Sequence, residues 1–515
     1  MKTVVALTGA NGAFGSEILA HLVASSSDLK IRILLRSLDN IKPFVNKLIK
    51  NNPEKVEVLL GSTSSPSICS KLIKGANYVV HASGVIPPIS EHDEKLTYES
   101  NYLGTKNMVD AILRDPSSQT IKFVYIGSVA EYGNRNEKDL WGRVGDPLMS
   151  SDYDEYSYTK ILAERYVLEA GLKNFVSLRQ TAIAHKYLFK NNLSDGLMYQ
   201  ACLNAPYEWV TDVDSGNMIE HLVSYDLNKM LPIEFWNRIY NIGGGKANRL
   251  TGFESMNKGF SFLGKDLKVF TDPNWFATRN FHGVFFYDSD VLESYLHFRT
   301  ETIDDFWKRM SKKYWYFHLG KAVPPSLLKK TLFTKMTQYD DAPQYFVDHN
   351  IVGKINAFYG SKEKYDALPK DWKYFPLLCE NKNSQDDFID YEKLKDEKYA
   401  TPYLFDHGFD ETKPIIELDI SDMKKAAKFR GGFCLSETMT KGDLFTKLTW
   451  QCHKGHTFLA TPYTILFGGF WCPECYQKPW KNGRIAKYSP FFAQLYYSDH
   501  DKSEENDIYP PKVEP

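Results

Sequence analysis

This 515-residue chain has no apolar run approaching a membrane span and no excess charge of either sign. Its 63 Lys and Arg stand against 64 Asp and Glu, a formal net charge of −1. The first absence argues against an integral membrane protein. The second argues against a global binder of nucleic acid or anionic lipid. The seven cysteines form no even, regularly spaced set, so no disulfide framework is expected. There is no internal repeat and no long Gly/Ser linker. The first strand-like run begins at Thr3, which leaves no room for a signal or transit peptide. These exclusions point to a cytoplasmic globular protein. With 43% hydrophobic residues, a chain of this length can bury a large core and should hold two or more domains.

What is present begins with Thr3-Val-Val-Ala-Leu-Thr8, a β-branched apolar run expected of a strand buried on both faces of a parallel sheet. Thr8-Gly9-Ala10-Asn11-Gly12-Ala13-Phe14-Gly15 follows, and then Ser16–Val23 reads as a helix. In that context Gly9 permits a tight turn, Gly12 lets the backbone approach a ligand, and Gly15 allows helix and strand to pack closely. The amides around Ala13 and Phe14 would then face a dinucleotide pyrophosphate at the helix N-terminus. A second strand, Ile31–Leu35, ends in Arg36. An NAD-preferring site usually carries an acidic residue there for the ribose 2′-hydroxyl. Arg36 would instead pair with a 2′-phosphate, so NADP(H) is expected over NAD(H).

Further along lies Tyr156-Ser-Tyr-Thr-Lys160. Tyr156 and Lys160 are one helical turn apart on one face. A free phenol, with a pKa near 10, is a poor base at neutral pH, and an adjacent ammonium favours its ionised form. Tyr156 is therefore the candidate general acid/base.

Taken in order, these motifs resemble the extended short-chain dehydrogenases/reductases of the NAD-dependent epimerase/dehydratase superfamily. The resemblance is also carried by His81-Ala82-Ser83-Gly84, Asn101-Tyr-Leu-Gly104-Thr-Lys-Asn107, Phe123–Gly133 with Ser128, and Leu178-Arg179-Gln180. It spans residues 1 to about 185. It implies that Ala82 and Ser83 lie beneath the nicotinamide ribose, that Lys160 holds the ribose hydroxyls, that Ser128 bonds the reacting substrate oxygen, and that Asn101 supports the site. It also allows a homodimer through the helices bearing Asn101 and Tyr156, which the added C-terminal mass would obstruct. Three departures matter. Val129 and Ala130 stand where sugar-nucleotide dehydratases carry an Asp-Glu pair, with Glu131 one residue too late, so dehydration is not expected. Leu60-Gly61-Ser62-Thr63 lacks the usual acidic adenine contact. No diphosphate clamp is evident: Arg249 and Arg279 lie in the appropriate region but read as surface arginines.

The second signal is Cys452-His-Lys-Gly-His456 followed by Cys472-Pro-Glu-Cys475. Both knuckles have turn-sized spacing, suited to one tetrahedral Zn²⁺ held by Cys452, His456, Cys472 and Cys475. His453 and Cys434 are possible substitutes, Cys434 reading rather as a small buried hydrophobe. Four protein ligands leave no open position, so the metal would be structural. Lys478, Lys481, Arg484 and Lys487 follow it, but the run is modest and nucleic acid is not an expected partner.

The expected fold class is therefore α/β: a Rossmann-type doubly wound parallel sheet, a smaller substrate-binding part, and a C-terminal α+β extension with a zinc-ribbon or treble-clef-like site. Residues 1–330 would form the core, with the cofactor domain at about 1–185. Residues 331–430 would pack on it, 431–490 would bind zinc, and 498–515 would form a flexible tail. Ala400–Phe405 and Lys413–Glu417 read as short strands or extended connections. Residues 304–316 read as a surface helix with a Phe306, Met310 stripe. The expected activity is NADP(H)-dependent interconversion of a secondary alcohol and a ketone on a small metabolite. The alternatives are an NAD-dependent sugar or nucleotide-sugar epimerase that retains its cofactor, and, in another class, a nucleotide-sensing regulator whose zinc module binds nucleic acid or protein.

Overall fold

In the computed structural model, residues 2–188, 196–380, 390–477 and 481–504 are described. The run Thr3–Thr8 forms β1, with Val5, Ala6 and Leu7 fully buried. It leads through the glycine turn into α1 (Ala13–Ala24), which buries Ile18, Leu19 and Leu22 along one stripe. Then come β2 (Leu29–Leu35), α2 (Pro43–Asn51), β3 (Val56–Leu60), α3 (Pro66–Ile73) and β4 (Tyr78–His81). The chain continues through α4 (Gly104–Arg114), β5 (Lys122–Ser128), α5 (Glu155–Glu169), β6 (Phe175–Gln180), α6 (Asp212–Leu227) and β7 (Arg238–Ile242).

The seven strands make one sheet in the order β7-β6-β5-β4-β1-β2-β3, and every pairing is parallel. Strand order reverses between β1 and β4, so a crevice opens beyond their C-terminal ends, where Gly9 and Ala82 follow the two strands. Doubly wound sheets bind ligands at such a point. Apolar side chains of α1 and α6 pack on one face of the sheet. Those of α3, α4 and α5 pack on the other.

Residues after β6 add small two-stranded pairs, Ile183–Ala184 with Val210–Thr211 and Pro206–Glu208 with Arg249–Thr251. Helix α7 (Ile303–Lys313) buries Ile303 together with Phe306 and Met310, the last two being the stripe read from the sequence. Leu377, Tyr391 and Leu394 share an apolar cluster with Trp141, Tyr199 and Phe253. The 3-residue segments Thr401–Tyr403 and Ile415–Glu417 are 3₁₀ turns rather than strands. Pro402 and Pro414 account for this, fixing φ where a turn begins and withholding a ladder donor.

The last part of the chain contributes β8 (Gly432–Cys434), β9 (Leu448–Cys452) and β10 (Thr457–Ala460), an antiparallel sheet in that order. Trp450, Tyr463, Phe470 and Trp471 join the cluster that contains the α4 and α5 side chains, so the C-terminal module completes the core on that face of the Rossmann sheet. The Tyr463 hydroxyl accepts the Ile239 amide at 2.8 Å, and the Arg165 guanidinium donates to the Trp471 carbonyl at 2.6 Å. Among the described residues, no helix is long and apolar enough to cross a membrane.

One expectation is corrected here. Arg249 and Arg279 are buried, not surface residues. Arg249 pairs with Glu208 at 2.9 Å and with Glu397, and Arg279 donates to Glu504 at 2.8 Å. At the start of the segment read as a tail, Asn134 donates to Asp499 at 2.5 Å, and Arg279 donates to the Asp499 carbonyl at 3.0 Å. Residues 505–515, and Lys478 of the basic run, lie outside the described residues.

Candidate functional site

The glycine turn is built for close approach. Gly9 has φ +78°, and a Cβ there would stand 2.6 Å from the Ala82 carbonyl oxygen. A Cβ on Gly15 would fall 2.1 Å from the Gly9 carbonyl oxygen. Gly12 is the N-cap of α1 and has no side chain to cap it, so the first-turn amides, including those of Ala13 and Phe14, have no side-chain acceptor from their cap residue. Such amides, together with the helix dipole, favour an anion.

Ser128 ends β5 and caps a single 3₁₀ turn: its Oγ accepts the Ala130 amide at 3.1 Å, and its own amide donates to Glu131 Oε1 at 2.8 Å. Asp154 starts α5 by accepting the Ser157 amide at 2.9 Å, which sets Tyr156 in the first turn and Lys160 one turn on. Burial raises the Tyr156 phenol, with Ser128's hydrogen bond pulling against it, and leaves it at about 12. Lys160 is lowered to about 8 by burial, against the attraction of Glu131 and Glu164. Its amine donates to the Ile126 carbonyl and lies 4.4 Å over the Tyr125 ring. The ammonium is thus turned to the strand rather than to the phenol, contrary to the simple i, i+4 expectation.

Gly9, Gly12, Ala13, Phe14, Gly15, Ala82, Ser83, Ser128, Tyr156 and Lys160 all line one cavity of about 540 Å³. That is within the size range of small-molecule sites, roughly 300–1,000 Å³. Arg36 and Asn101 do not line it. Arg36 is exposed at the end of β2. Asn101 is buried, accepting the Val85 amide at 2.7 Å and donating to the Val85 carbonyl at 3.0 Å and to Thr159 Oγ1 at 3.1 Å. It clips the loop after β4 to the helix that carries Tyr156. Glu131 turns to the Ser128 amide and does not line the cavity either, whereas Val129 does.

Residues the motifs did not single out complete the wall. Met198, Trp209, Met256, Phe260, Ile303 and Trp307 contribute apolar surface. Ser83 Oγ and Gln180 Oε1 are buried polar atoms on the cavity lining with no hydrogen-bond partner among the described residues. No local signal marks the apolar set; Gln180 sat within a noted motif but without an assigned role.

Behind the site, Arg179 is fully buried and donates to Glu164 at 2.7 Å, the Tyr132 hydroxyl at 2.7 Å and the Gly468 carbonyl of the C-terminal module at 2.7 Å. Glu131 lies 3.8 Å away. Burial and the negative charge of Glu164 raise the Glu131 carboxyl, while Arg179 and Lys160 oppose them.

The four expected metal ligands also come together. Donor atoms of Cys452, His456, Cys472 and Cys475 all lie within 4.8 Å of one another. Cys452 and Cys475 sulfurs are 3.7 Å apart, and His456 Nδ1 is 3.6 and 3.5 Å from Cys472 and Cys475. A tetrahedron on metal–sulfur bonds of about 2.3 Å has edges of about 3.8 Å, so the residues fit a zinc ion. Glu474 lies 3.7 Å from the other ring nitrogen of His456, placed to fix that ring's orientation. His453 stacks on Tyr488 at 4.3 Å and is not in the cluster. Cys434 is buried in β8.

Residues 5–190 match the NAD dependent epimerase/dehydratase family. Among curated proteins, the human sterol-4-alpha-carboxylate 3-dehydrogenase, decarboxylating, is 28% identical over 174 residues, covering 33% of this chain and 41% of the relative. Human 3 beta-hydroxysteroid dehydrogenase type 7 is 26% identical over 173 residues, covering 33% and 45%. D-erythronate dehydrogenase of Haemophilus influenzae is 23% identical over 177 residues, covering 34% and 52%. The chain thus spans about half or less of the length of these relatives. A dTDP-glucose 4,6-dehydratase structure from Streptomyces venezuelae with NAD bound is 18% identical, with a TM-score of 0.48 over 61% of this chain and 98% of that one.

Proposed function

We propose that the chain is an NADP(H)-dependent oxidoreductase that interconverts a secondary alcohol and a ketone on a small molecule, with a structural zinc in its C-terminal module. One observation carries the reading: a single cavity joins the Gly9–Gly15 turn to Ser128, Tyr156 and Lys160. The nicotinamide cofactor, when bound, supplies or accepts the hydride. The first-turn amides of α1 would hold its pyrophosphate, and Ser83 and Lys160 would hold its ribose. Ser128 donates to the substrate oxygen where negative charge develops. Tyr156 gives the proton to that oxygen in reduction and takes it in oxidation. Val129 and Ala130 offer no carboxyl to expel water, which favours simple redox chemistry over dehydration. Arg36, exposed at the end of β2, would pair with a cofactor 2′-phosphate.

Calorimetry with NADPH and NADH on the purified protein, beside Arg36→Ala, tests the proposal. The expected outcome is tighter binding of NADPH than NADH, with that preference lost in the variant. NAD found already bound and hard to remove would favour a redox-neutral epimerase instead. Binding of neither would overturn the enzyme reading.

A further inference from the structure

The chemistry of the cavity wall beyond the reacting groups limits what can occupy it. Residues 198–307 contribute Met198, Trp209, Met256, Phe260, Ile303 and Trp307. The indole nitrogen of Trp209 is already bonded to Ser255 Oγ at 2.8 Å, so that side chain turns its hydrocarbon surface, not a donor, to a ligand.

Among the described residues, positive charge is scarce in the same wall. Lys160 is the one Lys or Arg among the described lining residues; its amine donates to the Ile126 carbonyl and, on the reading above, serves the cofactor ribose rather than the substrate. The two lining histidines are held neutral by burial: His185 falls to about 4, and His282 is lowered despite the Asp154 carboxylate. The two arginines that could have clamped a diphosphate are spent on internal carboxylates, Arg249 on Glu208 and Glu397, and Arg279 on Glu504. Bringing a second diphosphate here would desolvate its charge with no further cation among the described lining residues to meet it.

We infer that the substrate is a bulky, uncharged, hydrocarbon-rich secondary alcohol or its ketone, and not a sugar nucleotide. This rests on the alcohol–ketone reading above and adds the chemical class of the molecule. The hydride and proton add across the C=O bond in reduction and leave the C–H and O–H bonds in oxidation, so the nicotinamide cofactor balances the electrons. The rest of the substrate stays unchanged against the apolar wall. Gln180 Oε1, buried on the wall without a partner among the described residues, is an acceptor available for one hydroxyl on such a molecule.

The test uses the full-length protein with saturating NADPH and a series of ketones: acetone, cyclohexanone and 2-decalone. UDP-galactose and UDP serve as the charged probes. The expected result is a kcat/KM that climbs with each added ring, by about fourfold for each methylene that becomes buried. UDP and UDP-galactose are expected neither to react nor to compete with 2-decalone. Trp307→Ala should raise KM for 2-decalone by on the order of tenfold, more than it changes kcat. Turnover of UDP-galactose, or displacement of 2-decalone by UDP, would overturn the substrate class while leaving the Tyr156 chemistry standing. A flat or falling size series with NADPH bound would also overturn it. Failure to bind NADPH would instead remove the reading on which it rests.

Discussion

Burial holds the Tyr156 phenol at about 12, so the free protein carries that proton throughout the neutral range. Two outcomes follow from the direction of the shift. Ketone reduction needs the protonated phenol, which is present below the raised pKa, so its rate should not depend on this group between pH 6 and 9. Alcohol oxidation needs the phenolate, whose fraction grows about tenfold per pH unit below that value. The positive charge of an oxidised nicotinamide lowers it and moves the plateau below pH 12. Rate profiles in both directions check this, and a flat profile for oxidation would contradict it. Tyr156→Phe keeps the ring and removes the proton, so kcat should fall about 10²–10⁴-fold with NADPH affinity changed little. Equal activity in that variant would leave the cavity without its proposed acid.

At the scale of elements, α5 is the piece on which both halves of the molecule converge. Tyr156 and Lys160 line the cavity, Glu164 binds Arg179 from the adjacent strand β6, and Arg165 reaches the Trp471 carbonyl. Arg179 distributes its guanidinium among Glu164, Tyr132 and Gly468. Removing it would strand the Glu164 carboxylate in a dry interior. Breaking one side of such a buried pair typically costs about 3–5 kcal/mol. Arg179→Met should therefore lower the urea midpoint by a corresponding amount, and Arg179→Lys should recover only part of it, because an ammonium cannot reproduce the fork. A midpoint unchanged in Arg179→Met would show that the network contributes no net stability.

The elements that could be read from the sequence are those whose signals are local. Thr3–Thr8 is a strand with the predicted bounds because a β-branched run buried on both faces leaves its mark within six residues. The Tyr156–Lys160 pair and the two metal knuckles are likewise short-range spacings: Tyr156 and Lys160 both line the cavity, and the donor atoms of Cys452, His456, Cys472 and Cys475 lie together. Arg249 and Arg279 could not be placed in that way. Their acidic partners lie 41 and 225 residues away in Glu208 and Glu504, and an ion pair between such distant segments has no period or motif. The same reason hid Trp209, Met256 and Trp307, which meet at the cavity only through tertiary packing. The direction of the Lys160 amine was lost for a different cause: helical spacing fixes the face, while the Ile126 carbonyl and Tyr125 ring compete for the charge.

For the whole molecule, the Cys452, His456, Cys472 and Cys475 cluster ties a three-stranded sheet to a loop that runs straight into the Rossmann core. A Cβ on Gly469, three residues before Cys472, would lie 1.9 Å from the Asp146 carbonyl oxygen, so the loop has almost no freedom to drift. Metal analysis should find about one zinc per chain. Strong chelation should lower the melting temperature and abolish activity only as tertiary structure is lost, since four protein ligands leave no position for substrate. Cys472→Ser should reproduce the loss without chelator. Rapid loss of turnover with an unchanged melting temperature would argue for a metal in the chemistry.

The Arg179–Gly468 hydrogen bond joins residues separated by 289 positions, and this has a bearing on how the protein is made. On the ribosome the half that forms the seven-stranded parallel sheet emerges first, at about 5–20 residues per second. Roughly 15–60 s then pass before the carbonyl that completes the cradle around Arg179 has been synthesised. During that interval the nascent chain exposes the α4 and α5 surface later covered by Trp450, Phe470 and Trp471, an apolar face of the kind that chaperones bind. A chain stalled or truncated before residue 468 would keep that face open, and quality control would meet it as an unfinished protein rather than as a shorter enzyme.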